Sequence, residues 1–471
     1  MTLSDSRGGG GRWRVWLRTV LGTLVALNFV MLWAGPLVIQ GQLYRRGLHR
    51  VFRPLHRWLD GSHVLRRFAA KCIYRRAVHV DYFAATVLFA VGFFLPLAGV
   101  LALQIATQSV PWYVIGAYYF VWIGPGGRTL AAAYTFAHRE GHVPGGRIYR
   151  PWLGNRMGNI FENWVGVWFG IIPYLFSTSH LLLHHRLNGG KGDPIYTWDI
   201  DRTKFRDVMR YMWRFFRYIS GISSVVEFRR QRGVLRAIDR GCRMLIRGVV
   251  IYWLCVPAAI LTLLVATGSS ISSALIFLLF IYFQPMFAMC CFLALLNLAQ
   301  HGFLEFDQHG RHVEHVTNMT VLDGYDDSYG EDYHLAHHKS PSAGHDRLTE
   351  HVQAEQRGWQ RHHGSVFKKT TIFEVAILMI LGRFDVLIRN HYVDYSNGAL
   401  SQEELADLFR RRARRTEMSY EEYEFQYLPR LRESVKELVR SGVCASENSA
   451  YVYQAHCNLQ CDLKLPADAS R

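Results

Sequence analysis

Nine histidines of this 471-residue chain fall into short clusters whose spacing suits metal ligation. His138 and His142 bracket HREGH, and His180, His184 and His185 lie in HLLLHH. His301 closes NLAQH, and His334, His337 and His338 form HLAHH. On a helix, residues four apart share a face, with Cβ atoms roughly 5–6 Å apart. Adjacent residues lie roughly 100° apart around it, so one cluster can serve two neighbouring ions. Imidazole suits iron, zinc, copper and nickel, and the absence of cysteine from these clusters argues against a closed structural zinc site. Nine imidazoles exceed what one zinc needs and fit two metal ions. Around them, Asn297 sits four residues before His301, while Asp323, Asp326, Asp327, Glu331 and Asp332 lead into HLAHH. Asn297 can cap its helix or act on the metal directly or through water. Asp332 is the acid singled out as a partner for an imidazole N–H, and most of the others read as solvated.

These clusters need elements that bring them together. Half of the residues are hydrophobic and 14% are aromatic, yet the formal net charge is +17. Residues 19–39 carry no charge over a helical length of roughly 30 Å, enough to cross a bilayer. Residues 82–106, 248–267 and 272–296 match it, and a fifth apolar run, 110–137, passes through a GPGGR break. The first run is too long for a signal peptide and lacks a small-residue cleavage site. The expected fold is therefore all-α, a polytopic membrane helical bundle with a cytosolic cap carrying the histidines and a helical C-terminal tail.

Orientation follows the basic residues. Residues 40–79 hold ten Lys/Arg, and 201–247 hold thirteen against four acids, which places both loops in the cytosol. Arg7, Arg12, Arg14 and Arg18 oppose an external N-terminus, so whether 19–39 spans stays open. One stretch, 159–176, is long enough to cross but contains Glu162 and a Gly-Ile-Ile-Pro break. If it crosses, HREGH is stranded on the opposite face from the other clusters. A shared metal site requires it not to cross.

The order HxxxH, HxxxHH, NxxxH and HxxHH between membrane spans resembles the membrane di-iron fatty acid desaturase and alkane hydroxylase superfamily. The matching residues are His138/His142, His180/His184/His185, Asn297 with His301, and His334/His337/His338, over roughly residues 80–345. The resemblance implies two iron ions, O2 as co-substrate, and oxidation of an unactivated C–H bond in a long acyl or alkyl chain. It makes the nine histidines the metal ligands and implies a tunnel for one apolar chain. Fatty acyl desaturation leads, and hydroxylation of a fatty acid, lipid or alkane is the alternative. The spacing within HLLLHH, the GDP at Gly192–Pro194 and the AQHG around His301 look closest to alkane hydroxylases. Electrons are expected from a separate donor of the ferredoxin, rubredoxin or cytochrome b5 type with its reductase. No CxxC pair marks a fused rubredoxin, and a valine interrupts the HPGG-like HVPGG at 142–146.

Other readings fare worse. HREGH displaces Glu140 by one position from the HExxH of zinc proteases. A histidine-lined zinc transporter would carry ionisable groups inside its spans, and 82–106, 248–267 and 272–296 lack charge. A membrane zinc hydrolase stays a minor alternative. Residues 204–247 mix arginine with aromatics, as does a helix on an anionic lipid face; with spans flanking them closely, no nucleic-acid partner is expected. His309, His312 and His315 read as a solvated loop, and histidines 49, 56, 63 and 79 as ordinary residues of a basic loop. Cys444, Cys457 and Cys461 with His456 fit no standard zinc spacing. Ser401-Gln-Glu-Glu404 is a capping box that opens a soluble helix. The expected organisation is 1–79 as membrane helix and basic loop, 80–345 as the oxidase domain, and 346–471 as a cytosolic helical region. Bacterial inner membrane and endoplasmic reticulum both remain open.

Overall fold

The computed structural model describes residues 8–231, 236–324, 330–340, 343, 345–442, 444, 446 and 450. His456, Cys457 and Cys461, like Asp326 and Asp327, lie outside them. Four helices are long and apolar enough to cross a membrane: Gly11–Leu59, Ala77–Thr107, Ile238–Ala266 and Ile271–Gln300. Each contains or nearly contains one of the uncharged runs. Their outward side chains are apolar: Met31 is 79% exposed and Leu95 is 68% exposed. A surface of that kind suits hydrocarbon better than water. The expected all-α membrane helical bundle is the fold.

The fifth run does not form one span. Trp112–Ile123 stops at Gly124, whose φ of 72° lies in the left-handed region. A Cβ on Gly124 would fall 2.0 Å from Thr129 Oγ1, so the break needs glycine there. The chain restarts as Arg128–His142, buried without interruption from Ala132 to Gly141. The 159–176 stretch does not cross either. It forms two short turns, Phe161–Val165 and Gly166–Phe169, followed by left-handed Gly170 and Tyr174. At about 1.5–2.0 Å rise per residue, those turns fall far short of roughly 30 Å. Gly170 lets the turn close on the Ile271–Gln300 helix, since a Cβ there would lie 2.3 Å from the Met286 Cα.

The basic-aromatic segment behaves differently from a lipid-face helix. Phe205–Ile219 is sandwiched against the N-terminal helix Gly8–Phe29 and against Gln284–Gln300. Val208, Met209, Met212 and Phe215 are buried, and Arg214 is buried in an ion pair with Asp199. After the last histidine cluster, Thr320–Leu322 pairs in parallel with Val366–Lys368, with Val321 opposite Phe367. Ile372–Ile380 then packs on Gln284–Gln300. Ser401 caps Gln402–Arg414 through both bonds of the expected capping box. Leu405 and Phe409 of that helix join the same core as the membrane helices.

Candidate metal centre

Two buried carboxylates fix the frame. Glu140 points away from the histidines and accepts from Tyr149 Oη, from Ile160 N at 3.0 Å and from Glu162 N at 2.8 Å. Burial pushes its carboxyl up to about 8, against the pull of those donors. Glu162 accepts from Asn159 Nδ2 at 2.7 Å and from Ser177 N and Oγ at 2.7 and 3.0 Å. Together they bolt the non-crossing segment to Arg128–His142 and deliver Phe176–His184 beside it.

All nine clustered histidines then converge. Ligand atoms of His138, His142, His180, His185 and His337 lie within 4.8 Å of one another, and those of His184, His301 and His338 do the same. His334 joins the second set, its Nε2 at 3.0 Å from His301 Nε2. The sets abut, with the His185 and His338 ring centroids 4.6 Å apart.

The division differs from what i, i+4 spacing suggests. Phe176–His184 is π-helical, and His180 N bonds to Leu175 O five residues back. Five-residue bonding widens the turn, so His180 meets His185, Nε2 to Nε2 at 2.9 Å. His184 instead offers its ligand atom to the second set, within 4.8 Å of those of His301 and His338. His337 and His338 divide in the same way as His185 and His184, as neighbours on a helix can.

The donor atoms suit a metal. His138 Nε2 lies 2.6 Å from His180 Nε2 and 3.1 Å from His142 Nε2, and His337 Nε2 lies 3.2 Å from His185 Nε2. With metal–imidazole bonds of about 2.0–2.1 Å, ligands at right angles stand about 3 Å apart. A neutral imidazole has one N–H and one lone pair, so five converging nitrogens cannot all satisfy one another. His338 Nε2 is buried with no hydrogen-bond partner. Burial, reinforced by neighbouring imidazoles, holds His142, His180, His185, His334, His337 and His338 well below the usual imidazole range. That direction favours the neutral form, which keeps its lone pair.

Carboxylates orient one ring in each set. His138 Nδ1 lies 2.6 Å from Glu331 Oε1, and His184 Nδ1 lies 2.8 Å from Asp193 Oδ2. A proton held on Nδ1 leaves Nε2 as the ligand atom. The carboxylate on His138 is that of Glu331, while the neighbouring Asp332 accepts through its carbonyl from Val321 N at 2.9 Å. Asp193 was visible as the middle of GDP, but nothing local in the sequence marks it as a partner of His184. Asn297 accepts from Tyr211 Oη at 2.5 Å and lines the cavity beside the histidines.

Among the described residues, no other histidine joins either set. His309 is exposed, but His312 is buried against Trp198, and His315 pairs with Glu355 at 2.7 Å. The solvated-loop expectation therefore fails for His312. His79 is buried as well.

A cavity of about 30 Å³ reaches the histidines, walled by Tyr134, Phe176, Phe215, Leu293 and Leu296. That volume holds about two waters, a small pocket rather than the expected tunnel among the described residues. No curated protein and no solved structure matches the chain. The family model described as fatty acid desaturase matches residues 119–370, more than half of the chain and all nine clustered histidines, and the chain belongs to that family.

Proposed function

We propose that the chain oxidises an unactivated C–H bond of a long acyl chain with O2 at two irons, and that the outcome is desaturation. Membership in the fatty acid desaturase family makes it an oxidoreductase of lipid metabolism. The observation that carries the finer reading is the convergence of nine imidazoles into two abutting sets beside an apolar pocket.

In this reading His138, His142, His180, His185 and His337 hold one iron, and His184, His301, His334 and His338 hold the other. The iron pair supplies O2 activation and removal of hydrogen from the chain. Glu331 and Asp193 keep protons on the Nδ1 atoms of His138 and His184, so each Nε2 faces inward as a lone pair. Phe176, Phe215, Leu293 and Leu296 exclude water and fix which methylene faces the metals. The pocket is short, so substrate binding requires those side chains to rotate outward. Asn297, held by Tyr211, offers its polar end to a water at the edge of the second set.

The basic segments 40–79 and 201–247 support a histidine face on the cytosolic side, of a bacterial inner membrane or of the endoplasmic reticulum. Electrons come from a separate ferredoxin, rubredoxin or cytochrome b5 type donor with its reductase. Hydroxylation is the second reading, favoured by the HLLLHH spacing and the GDP that follows it.

GC–MS of lipids and hydrocarbons from cells expressing the chain, beside its His337→Ala variant, tests this. A new unsaturated chain that vanishes in the variant is expected. A hydroxylated chain would move the reading to hydroxylation. Matching profiles, despite expression and supplied donor and acyl substrate, would overturn it.

A further inference from the structure

The family match ends at residue 370, yet a later segment grips the loop behind one histidine set. We infer that residues 412–427 form a strap that positions the second set, His184, His301, His334 and His338, and leaves the first set to its own supports. This rests on the two-metal reading above.

Two loops leave that second set, and the strap holds both. The loop after His184 carries Asp193, whose Oδ2 meets His184 Nδ1 and also accepts from Gly189 N at 2.9 Å. Its neighbour Gly192 N donates to Tyr423 Oη at 3.1 Å. Lys191 forms a buried ion pair with Glu417, and Tyr196 Oη donates to Glu417 Oε2 at 2.7 Å. The rings of Tyr196 and Tyr423 stack with centroids 3.7 Å apart. Glu417 N returns a bond to Trp198 O at 2.7 Å. Arg214 ties the arrangement together, reaching Asp199 Oδ1 at 2.8 Å and Glu424 Oε1 at 3.1 Å.

The stretch after His301 is held at the other end of the strap. Leu304 N donates to Arg412 O at 3.1 Å, and Arg412 Nε donates to Glu305 Oε2 at 2.6 Å. Arg412 also donates to the carbonyls of His363 and His362 at 2.6 and 2.7 Å. The strap is itself anchored to the N-terminal helix by the Arg18–Glu424 ion pair. A route of buried contacts thus runs from Glu417 and Tyr423 through Lys191, Gly192 and Tyr196 to Asp193 and His184. Glu331 and the Glu140–Glu162 frame support the first set by other routes.

Buried polar groups held in this way set ring orientation, and losing such a partner costs roughly 10–100-fold in metal affinity. The residues of the strap are positioning residues, since they reach the metals only through the loop.

The test measures iron retained per full-length chain in detergent against increasing chelator, for wild type, Tyr423→Phe and Glu417→Ala. Tyr423→Phe keeps the ring stack, which guards against simple misfolding. Each variant is expected to release one iron of two at about 10-fold lower chelator, with the second iron leaving as in wild type. Adding Asp193→Asn to either variant should release little more, whereas adding Glu331→Gln should release both irons. Glu417→Gln, which still accepts from Tyr196, should restore part of the loss. Irons that leave together, or a release curve unchanged from wild type, would overturn the strap. A wild-type chain holding fewer than two irons would instead overturn the two-metal reading.

Discussion

The first histidine set, His138, His142, His180, His185 and His337, has all of its named supports within the family region, residues 119–370. Glu140 and Glu162 tie the 159–177 segment to Arg128–His142, with partners no more than 22 positions apart in sequence. The second set, His184, His301, His334 and His338, is backed by loops whose holders come from far away. Arg214 and Glu424 are 210 positions apart, and Gly192 and Tyr423 are 231 apart. Two touching groups of the same chemistry are thus built by different means. One is supported from within the family region, while the other also depends on chain beyond it.

Replacing a ring in each set is the strongest way to break that comparison. His185→Ala and His338→Ala remove neighbouring rings from opposite sets. Each is expected to abolish product formation, a loss beyond the roughly 10–100-fold cost of removing an outer partner. Each should leave one iron per chain, and GC–MS with iron analysis would show it. If one variant kept most of its activity, the sets would not be working as a pair.

The carboxylates come next. Glu331→Gln should weaken only the first iron and Asp193→Asn only the second, each by about 10–100-fold. Chelator competition reads both. Indistinguishable release curves would mean that the division into two sets has no energetic meaning.

Glu162→Ala sharpens the comparison through stability. It leaves Ser177 N buried without its side-chain acceptor and takes one of two acceptors from Asn159 Nδ2, at a cost of about 1–3 kcal/mol. The first iron should loosen with the frame, while the second is held as before. Thermal unfolding in detergent with iron quantification would reveal the opposite pattern as readily.

The smallest effect belongs to Ser401→Ala. Its loss removes one capping box and should cost about 1 kcal/mol. Because the cap lies eleven positions before Arg412, no change in iron content is expected. A lost iron here would mean that the whole helix, and not only the strap that begins in its last turn, supports the second set.

The histidines and the membrane helices were legible because each rests on a local pattern. The clusters show in their spacing, the spans in their uncharged length, and the cap at Ser401 in four residues. The requirement that 159–176 stay on one side was also legible, because a shared metal site needs HREGH on the same face as the other clusters. What escaped has a common cause. The assignment of His184 to the second set depends on π-helical bonding, which the HLLLHH spacing does not announce. The pairing of Glu331 with His138 joins residues 193 positions apart, which no local spacing marks. The arginine-aromatic helix at 205–219 looks amphipathic for a membrane surface, but its counter-charges, Asp199 and Glu424, are supplied by other segments. Long-range ion pairs leave no periodic trace.

The most direct measurement is anomalous diffraction at the iron edge from crystals of the full-length chain. Two peaks are expected, one enclosed by His138, His142, His180, His185 and His337, the other by His184, His301, His334 and His338. A single peak, or a signal at the zinc edge in place of iron, would contradict the two-iron centre.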